Sequence, residues 1–175
     1  MEAKAELRKK IRARLRQLSQ EEISAASLLI RDRLTFPSGS KVAIFAGLST
    51  EPMLLELIRE RNEIAWFFPK VMRPGEMEFF RVTAEKDLTR GAFGILEPPT
   101  EHPAEQLDAI VCPGVAFTRD GKRLGQGGGF YDRAILKFPT AKLLGVAFDC
   151  QLVDELPTEV HDCTMQRVIT PSAEF

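Results

Sequence analysis

The stretch "KRLGQGGGFYDR", residues 122–133, combines residue types that can bind a phosphate. Its glycines stand at positions 125, 127, 128 and 129. Glycine tolerates positive φ and close backbone approach, so successive N–H groups can converge on an anion, aided by the N-terminus of a following helix. Arg123 offers a guanidinium fork that matches phosphate oxygens, and Asp132 offers the oxygen ligand that Mg²⁺ prefers. We therefore expect a cradle for a nucleotide phosphate and its magnesium ion.

Two common glycine motifs do not match this stretch. The dinucleotide fingerprint G-x-G-x-x-G fails because Phe130 or Asp132 stands where the third glycine is needed. The P-loop G-x-x-x-x-G-K-[ST] fails because Ala116 and Arg123 replace its first glycine and its last hydroxyl residue. The loop composition thus indicates phosphate binding without assigning a nucleotide-binding class, and a plain strand-to-helix turn is the structural alternative.

Alternating strand and helix patterns surround this loop. Residues 4–18 show the apolar spacing of an amphipathic helix, and Ser19 with Glu22 forms the pattern of a capping box that opens a helix over 20–34. Further helices are predicted over 49–61 and 131–138. Strands are predicted over 41–48, 62–69, 76–83, 108–117, 142–148 and 166–171, and an exposed loop over 89–105. The class is therefore α/β, with three α/β/α layers and a mainly parallel sheet. We expect one domain over residues 1–175 with an N-terminal helical segment over about 3–35.

The bulk composition excludes several kinds of partner. A net charge of −1 gives no general attraction to nucleic acid or membrane surfaces. No apolar run approaches the roughly 20 residues that a spanning helix needs. The three cysteines, Cys112, Cys150 and Cys163, show no metal-ligand spacing, and their odd number suits a reducing compartment. These features predict a cytoplasmic protein with neither a nucleic-acid nor a membrane partner. We also expect a monomer.

The segment "PGVAFTRDGKRLGQGGGFYD", residues 113–132, resembles the signature of the 5-formyltetrahydrofolate cyclo-ligase family. The resemblance extends to a K-x-x-x-R opening at Lys4 and Arg8, to "WFFPK" and "GILEPP", and to "LPTEVHD" near the end. It implies an enzyme that uses ATP and Mg²⁺ to close 5-formyltetrahydrofolate into 5,10-methenyltetrahydrofolate. The formyl oxygen is phosphorylated, the N10 nitrogen attacks the activated carbon, and phosphate leaves. It also implies a fold similar to sugar-phosphate isomerases and CoA transferases.

The same resemblance assigns residues to each ligand. The residues implied for ATP are Lys4, Arg8, Arg123, Leu124, Gly125, Gln126, Gly127, Gly128, Gly129, Phe130 and Tyr131. Those implied for the folate, which can be polyglutamylated, are Glu51, Glu56 and Tyr131. Asp132 and Asp162 are implied as the Mg²⁺ ligands, and Arg123 with Asp132 as the catalytic pair. His161 receives no acid–base role.

Three positions depart from the family pattern. Gln166 stands where many relatives carry an acid, which predicts that a third carboxylate near the metal is missing. Val71 replaces an aromatic residue, which weakens the expected stacking wall for the folate. No threonine follows Glu51. These changes predict altered substrate affinity with the ATP side intact.

Two other functions fit parts of the sequence. An α/β enzyme acting on a phosphosugar or acyl-CoA could use the same Arg-flanked glycine loop. A nucleic-acid-binding protein could use the basic N-terminal helix, but its basic residues are confined to that helix and no aromatic binding surface accompanies them. Failure to bind ATP would favour the first alternative, and steeply salt-dependent nucleic-acid binding the second.

Overall fold

The structure, a computed structural model, describes residues 2–91, 94–157, 159 and 162–175. Its helices are α1 (Glu2–Leu15), α2 (Gln20–Arg33), α3 (Leu57–Glu60) and α4 (Phe130–Ile135). Its strands are β1 (Lys41–Ala43), β2 (Ala65–Arg73), β3 (Glu76–Val82), β4 (Thr89–Arg90), β5 (Leu96–Glu97), β6 (Ala109–Cys112), β7 (Ala116–Phe117), β8 (Arg123–Leu124), β9 (Lys142–Val146) and β10 (Arg167–Ile169).

Six strands form the central sheet, in the order β10-β9-β6-β1-β2-β3. Neighbouring strands run parallel, except that β3 pairs with β2 in an antiparallel hairpin. Two further antiparallel pairs, β4 with β5 and β7 with β8, lie outside this sheet. The prediction of a mainly parallel sheet is confirmed.

Side chains alternate along each strand, so both faces of the sheet carry apolar side chains, and both faces are covered. Val42 belongs to a core that contains Ile11 of α1 and Ile30 of α2, whereas Ala43 belongs to a second core that contains Ile135 of α4. The two cores give the predicted α/β/α layering. The expected likeness to sugar-phosphate isomerases and CoA transferases stays a prediction.

Local sequence signals correctly place the first two helices. Ser19 Oγ accepts from the Glu22 N–H at 3.2 Å, and Glu22 Oε2 accepts from the Ser19 N–H at 2.7 Å. This is the predicted capping box, and it satisfies two N–H groups that the helix would otherwise leave unpaired. α1 ends at Leu15, three residues before the predicted boundary.

Several predicted elements are shorter in the structure. β1 ends at Ala43, and the chain then turns until α3 begins at Leu57, so the predicted helix over 49–61 shrinks to four residues. Pro52 disfavours a helical conformation for the residue before it, which explains why no helix begins at Glu51. The predicted loop over 89–105 contains the short strands β4 and β5.

The strand order determines where a ligand can bind. From β1 the chain moves outward to β2 and β3, and it later returns to β6 on the other side of β1. The segments that follow β1 and β6 therefore diverge, and they open a crevice at the carboxyl ends of these strands. Glu51 follows β1 and the glycine loop follows β6, so the topology brings both to one crevice.

Candidate active site

A cavity of about 700 Å³ occupies this crevice. Its walls come from α1, the segments after β1 and β6, the β2–β3 hairpin and β5. The predicted site residues that line it are Lys4, Arg8, Glu51, Arg123, Leu124, Gly125, Gln126, Gly127, Gly128, Gly129, Phe130, Tyr131, Asp132 and Asp162. Among the residues predicted for a ligand, Glu56 is the one that the structure places elsewhere.

The glycine loop adopts backbone conformations that favour glycine. Gly127 has φ 111° and Gly129, which precedes α4, has φ 63°. A Cβ atom on Gly129 would lie 2.7 Å from Arg133 Nη1. Because α4 has only six residues, the N–H groups of the loop itself are its main means of binding an anion.

Arg133, which the sequence analysis did not identify, holds this loop from outside. Its Nη2 donates to the Gly128 carbonyl at 2.7 Å and its Nε donates to the Gly75 carbonyl at 2.7 Å. Its guanidinium also lies over the Phe130 ring, 5.6 Å from the centroid. Arg133 thus joins the glycine loop to the tip of the β2–β3 hairpin. Since Gly75 lies 58 residues away, the sequence carries no signal for this contact.

Arg123 does not present the open phosphate fork that the sequence predicts. Its side chain is 4% exposed, Nη2 donates to Asp132 Oδ1 at 2.6 Å, and Nη1 donates to the Pro113 carbonyl at 3.1 Å. Burial lowers the pKa of the guanidinium, but the neighbouring anionic groups outweigh this and the net pKa is raised. In this conformation the group fastens β8 to the start of α4, so its geometry is that of a positioning residue.

The two predicted metal ligands both line the cavity, and each has a cationic partner. Asp132 pairs with Arg123, and Asp162 Oδ2 accepts from Lys4 Nζ at 2.9 Å. Lys4 also lies 3.1 Å from Glu159. Burial lowers the pKa of Lys4, but hydrogen bonds to Asp162 and Glu159 outweigh this effect and leave the pKa raised.

The donor set fits a magnesium ion that arrives with a nucleotide. Within the described ranges, no three His, Cys, Asp or Glu side chains are grouped to hold a metal by themselves. Mg²⁺ usually takes one or two protein carboxylates and completes its shell with substrate phosphates and water. Asp132 and Asp162, both on the cavity wall, match that requirement.

Helix α1 contacts the glycine loop directly. Arg8 Nε donates to the Gly125 carbonyl at 2.8 Å, and Arg12 Nη2 donates to Gln126 Oε1 at 2.6 Å. Arg12 was not among the predicted site residues, although it lies one turn from Arg8 on the same helix. The basic face of α1 therefore carries side chains that hold the loop in place.

Glu51 is a buried carboxylate on the far side of the loop. Its Oε2 accepts from the Leu48 N–H at 2.9 Å and its Oε1 accepts from Gln126 Nε2 at 3.3 Å. Burial raises the pKa of Glu51, and these two hydrogen bonds oppose that rise. A carboxylate accepts about four hydrogen bonds, so Glu51 retains capacity for a ligand with a donor edge.

The position of Glu56 does not support its predicted substrate role. It directly precedes α3, and its Oε2 lies 3.3 Å from Arg31 Nη1 of α2. Both residues line a separate shallow depression with Gln20 and Glu21. Glu56 therefore pairs with Arg31 and does not line the cavity with the other predicted site residues.

The remaining walls of the cavity are largely apolar. Val71 lines it together with Met77, Ile95 and Phe45, so Val71 provides an aliphatic surface where an aromatic residue was expected. The Tyr131 ring stands edge-on to Phe79, with centroids 6.3 Å apart. Among the described residues, its buried hydroxyl has no hydrogen-bond partner, and burial raises its pKa well above the usual value.

Gln166 lies outside the cavity. Its Oε1 accepts from the Leu143 N–H near the start of β9, away from the carboxyl ends where the crevice opens. Its replacement of an acid therefore removes no carboxylate from the cavity wall, contrary to the expectation of a missing third acid near the metal. His161 lies outside the described residues.

The chain is similar to known proteins over nearly its whole length. The sequence profile of the 5-formyltetrahydrofolate cyclo-ligase family matches residues 1–171. The 5-formyltetrahydrofolate cyclo-ligase of Escherichia coli K12 is 34% identical over 179 aligned positions, which cover 93% of this chain and 97% of the relative. The enzyme of the same name from Mus musculus is 26% identical, with 95% and 93% covered.

Solved structures of related enzymes share the fold. The 5,10-methenyltetrahydrofolate synthetase of Aquifex aeolicus superposes with a TM-score of 0.86 at 32% identity and covers 98% of this chain and 91% of its own. That of Mycoplasma pneumoniae gives a TM-score of 0.75 at 25% identity, with 96% and 98% covered. By profile, sequence and fold together, the chain belongs to the 5-formyltetrahydrofolate cyclo-ligase family.

Proposed function

We propose that this protein uses ATP to convert 5-formyltetrahydrofolate into 5,10-methenyltetrahydrofolate, with release of ADP and phosphate. The observation that carries the proposal is the shared cavity. The glycine loop and the buried acid Glu51 both line it and touch each other, since Gln126 Nε2 donates to Glu51 Oε1 at 3.3 Å. A phosphate bound by the loop and a folate bound by the acid would therefore be neighbours.

The chemistry explains why two ligands must meet there. The oxygen of a formamide is a poor leaving group, and phosphorylation converts it into a good one. Phosphoryl transfer asks a protein mainly for positioning and for neutralisation of charge. The N–H groups of residues 125–129 can bind the phosphates, while Lys4 and Arg8 bring positive charge to the same wall.

Asp132 and Asp162 are the residues that would hold Mg²⁺, which when bound neutralises phosphate charge. Each now has a cation as partner, namely Arg123 for Asp132 and Lys4 for Asp162. A bound nucleotide can take over Lys4 through its phosphates and so release the Asp162 carboxylate for the metal. The positions of Lys4 and Asp162 support a paired role for them in binding the metal–nucleotide complex.

The folate side requires orientation and exclusion of water. Glu51 can accept hydrogen bonds from the donor edge of the pterin ring. Val71, Met77 and Ile95 supply apolar surface for the ring faces, and Tyr131 brings a buried hydroxyl without a protein partner among the described residues. We assign the folate to this half of the cavity and exclude Glu56 from it.

The comparisons support neither alternative function, that is, a phosphosugar or acyl-CoA enzyme or a nucleic-acid-binding protein. No helix in the described part of the chain is both long enough and apolar enough to cross a membrane. We propose a cytoplasmic location, in keeping with three cysteines that form no disulfide, and a monomer as the active species.

The proposal is tested by following formation of methenyltetrahydrofolate by its absorbance, starting from 5-formyltetrahydrofolate, ATP and Mg²⁺. We expect product that depends on ATP, with no turnover when ATP is replaced by a non-hydrolysable analogue. Folded protein that forms no product under these conditions would contradict the assignment. Product formed equally without ATP would contradict the phosphoryl-transfer step.

A further inference from the structure

Three side chains form a hydrogen-bonded chain from the outside of α1 to the buried carboxylate. Arg12 Nη2 donates to Gln126 Oε1 at 2.6 Å, and Gln126 Nε2 donates to Glu51 Oε1 at 3.3 Å. Gln126 and Glu51 line the cavity, but Arg12 does not. The chain therefore links a residue outside the site to the acid assigned to the folate.

The chemistry of Arg12 dictates how the Gln126 amide is oriented. A guanidinium has only donors, whereas an amide has a carbonyl acceptor on one side and two N–H donors on the other. With Arg12 in place, the amide carbonyl faces the guanidinium and the NH₂ group faces Glu51. The flipped amide would set donor against donor at Arg12 and carbonyl oxygen against carboxylate at Glu51. Both contacts disfavour the flip.

We propose that Arg12 and Gln126 act as a positioning relay that keeps Glu51 oriented as a hydrogen-bond acceptor for the folate. Gln126 satisfies one lone pair of Glu51 Oε1, and the Leu48 N–H satisfies one of Oε2. The carboxylate plane is thereby fixed, with its remaining lone pairs available to the ligand. This inference rests on the proposed function, since it assigns Glu51 to the folate.

The relay differs from a simple contact between the glycine loop and ATP. Gln126 sits in the loop that we assign to the nucleotide, yet its side chain reaches the folate acid. Loss of the relay should therefore weaken folate binding and raise the KM for folate by a larger factor than it lowers the turnover number. Arg12 and Gln126 are positioning residues in this scheme, because Arg12 reaches Glu51 through the amide. Its other contact with Gln126, from Nη2 to the backbone carbonyl at 3.5 Å, is longer.

The test measures 5-formyltetrahydrofolate binding without ATP, by titration calorimetry. Gln126→Met keeps the side-chain length and removes the amide, and we expect it to raise the folate Kd about five- to tenfold, the scale of one typical hydrogen bond. Arg12→Met should raise the Kd in the same direction. Arg12→Lys should restore near-normal affinity, because lysine is also a donor-only residue. Arg14→Met is the matched control: it removes one charge from the exposed surface of α1 and should leave the folate Kd unchanged.

The double variant Arg12→Met with Gln126→Met decides between a relay and independent effects. If Arg12 acts through the amide, the double variant binds folate no worse than Gln126→Met alone. The relay would be overturned if the increases in folate Kd of the two single variants multiply in the double variant. It would also be overturned if Arg12→Met and Arg14→Met lose the same folate affinity. If the wild-type protein makes product and the variants bind folate as tightly as the wild type does, the relay alone is overturned. Wild-type protein that neither binds nor converts the folate would overturn the proposed function and the relay with it.

Discussion

At the scale of single residues, the site is built on buried charge that folding by itself does not favour. Glu51 is 8% exposed and accepts hydrogen bonds from one backbone N–H and one amide. Placing a carboxylate in such surroundings disfavours its ionised form, which is why its pKa is raised. The protein tolerates this cost at the position that we propose as the hydrogen-bond acceptor for the folate.

We predict that the Tm of Glu51→Gln relative to wild type is more favourable near pH 7.5 than near pH 4, and that the variant loses high-affinity folate binding. The amide removes the cost of ionisation, but at every pH it sets an NH₂ group against one of the two donors that Glu51 accepts from, the Leu48 N–H or the Gln126 amide. Because burial raises the folded-state pKa of Glu51, ionisation disfavours the folded wild type above that pKa and has no effect below the unfolded pKa. The Tm difference should therefore shift in favour of the variant as the pH rises from 4 to 7.5, on a scale of about 2 to 4 °C per kcal/mol. Thermal unfolding of both proteins across this range measures it. A Tm difference that does not change with pH would contradict the role of ionisation.

Loss of the Arg123 side chain should reduce stability and activity far more than loss of its neighbour Lys122. The reason is the buried pair with Asp132 and not the phosphate contact that the sequence predicts. Arg123→Ala leaves Asp132 without its buried cation, which we expect to cost about 3 kcal/mol of stability together with most of the activity. Lys122 is half-buried and pairs with the exposed Asp120 at 3.0 Å, so Lys122→Ala should stay within about 1 kcal/mol of wild type. Denaturant unfolding and turnover are measured on both variants. A stable but inactive Arg123→Ala protein would instead indicate direct phosphate contact.

At the scale of elements, the sequence predicts those features that are formed by residues close together along the chain. The Ser19–Glu22 capping box spans four residues, and it is correctly predicted. The glycine loop is also contiguous, so its place in the site follows from its composition. The Arg123–Asp132 pair was not predicted, because it requires the chain between these residues to fold back on itself. The contact of Arg133 with Gly75 depends on the docking of α4 against the hairpin, which no local pattern encodes.

An added methyl group at Gly129 of the glycine loop should reduce ATP affinity, whereas the same change at Gly39, another glycine with positive φ, should not. Gly129→Ala would meet Arg133 Nη1 at 2.7 Å in addition to the strain at φ 63°, whereas Gly39→Ala at φ 81° meets nothing within 4 Å. We expect both variants to lose about 1 kcal/mol or more of stability from backbone strain. Only Gly129→Ala should also lose ATP affinity, measured by titration calorimetry. Equal ATP affinities in the two variants would show that the loop conformation does not govern nucleotide binding.

At the scale of the whole molecule, the order of the strands determines the position of the cavity. The switch between β1 and β6 brings Glu51 and the glycine loop together although about 75 residues of chain separate them. The sequence predicts the alternation of strands and helices but not this order. Glu56 shows the consequence, since it lies five residues after Glu51 and yet faces a different surface.

We predict that Mg²⁺ stabilises the protein only in the presence of ATP. The described residues hold no three-ligand cluster, and both candidate acids already pair with cations, so Mg²⁺ alone should leave the Tm unchanged. ATP with Mg²⁺ at about 100 times Kd should add about 2.7 kcal/mol, a rise of about 5 to 11 °C. Thermal shift assays with each ligand alone and with both measure this. Asp162→Asn should reduce the part that depends on Mg²⁺, and a large Tm rise with Mg²⁺ alone would contradict the scheme.

The hydrogen bonds of Arg133 have a consequence for how the two ligands affect each other's binding. One guanidinium grips the glycine loop at Gly128 and the hairpin tip at Gly75, while the same hairpin carries Val71 and Met77 in the cavity wall. A ring system bound against that wall would therefore contact a hairpin that Arg133 connects to the glycine loop. We expect each ligand to stiffen the surface that receives the other. The enzyme would then favour the state in which both are held over either half-filled state.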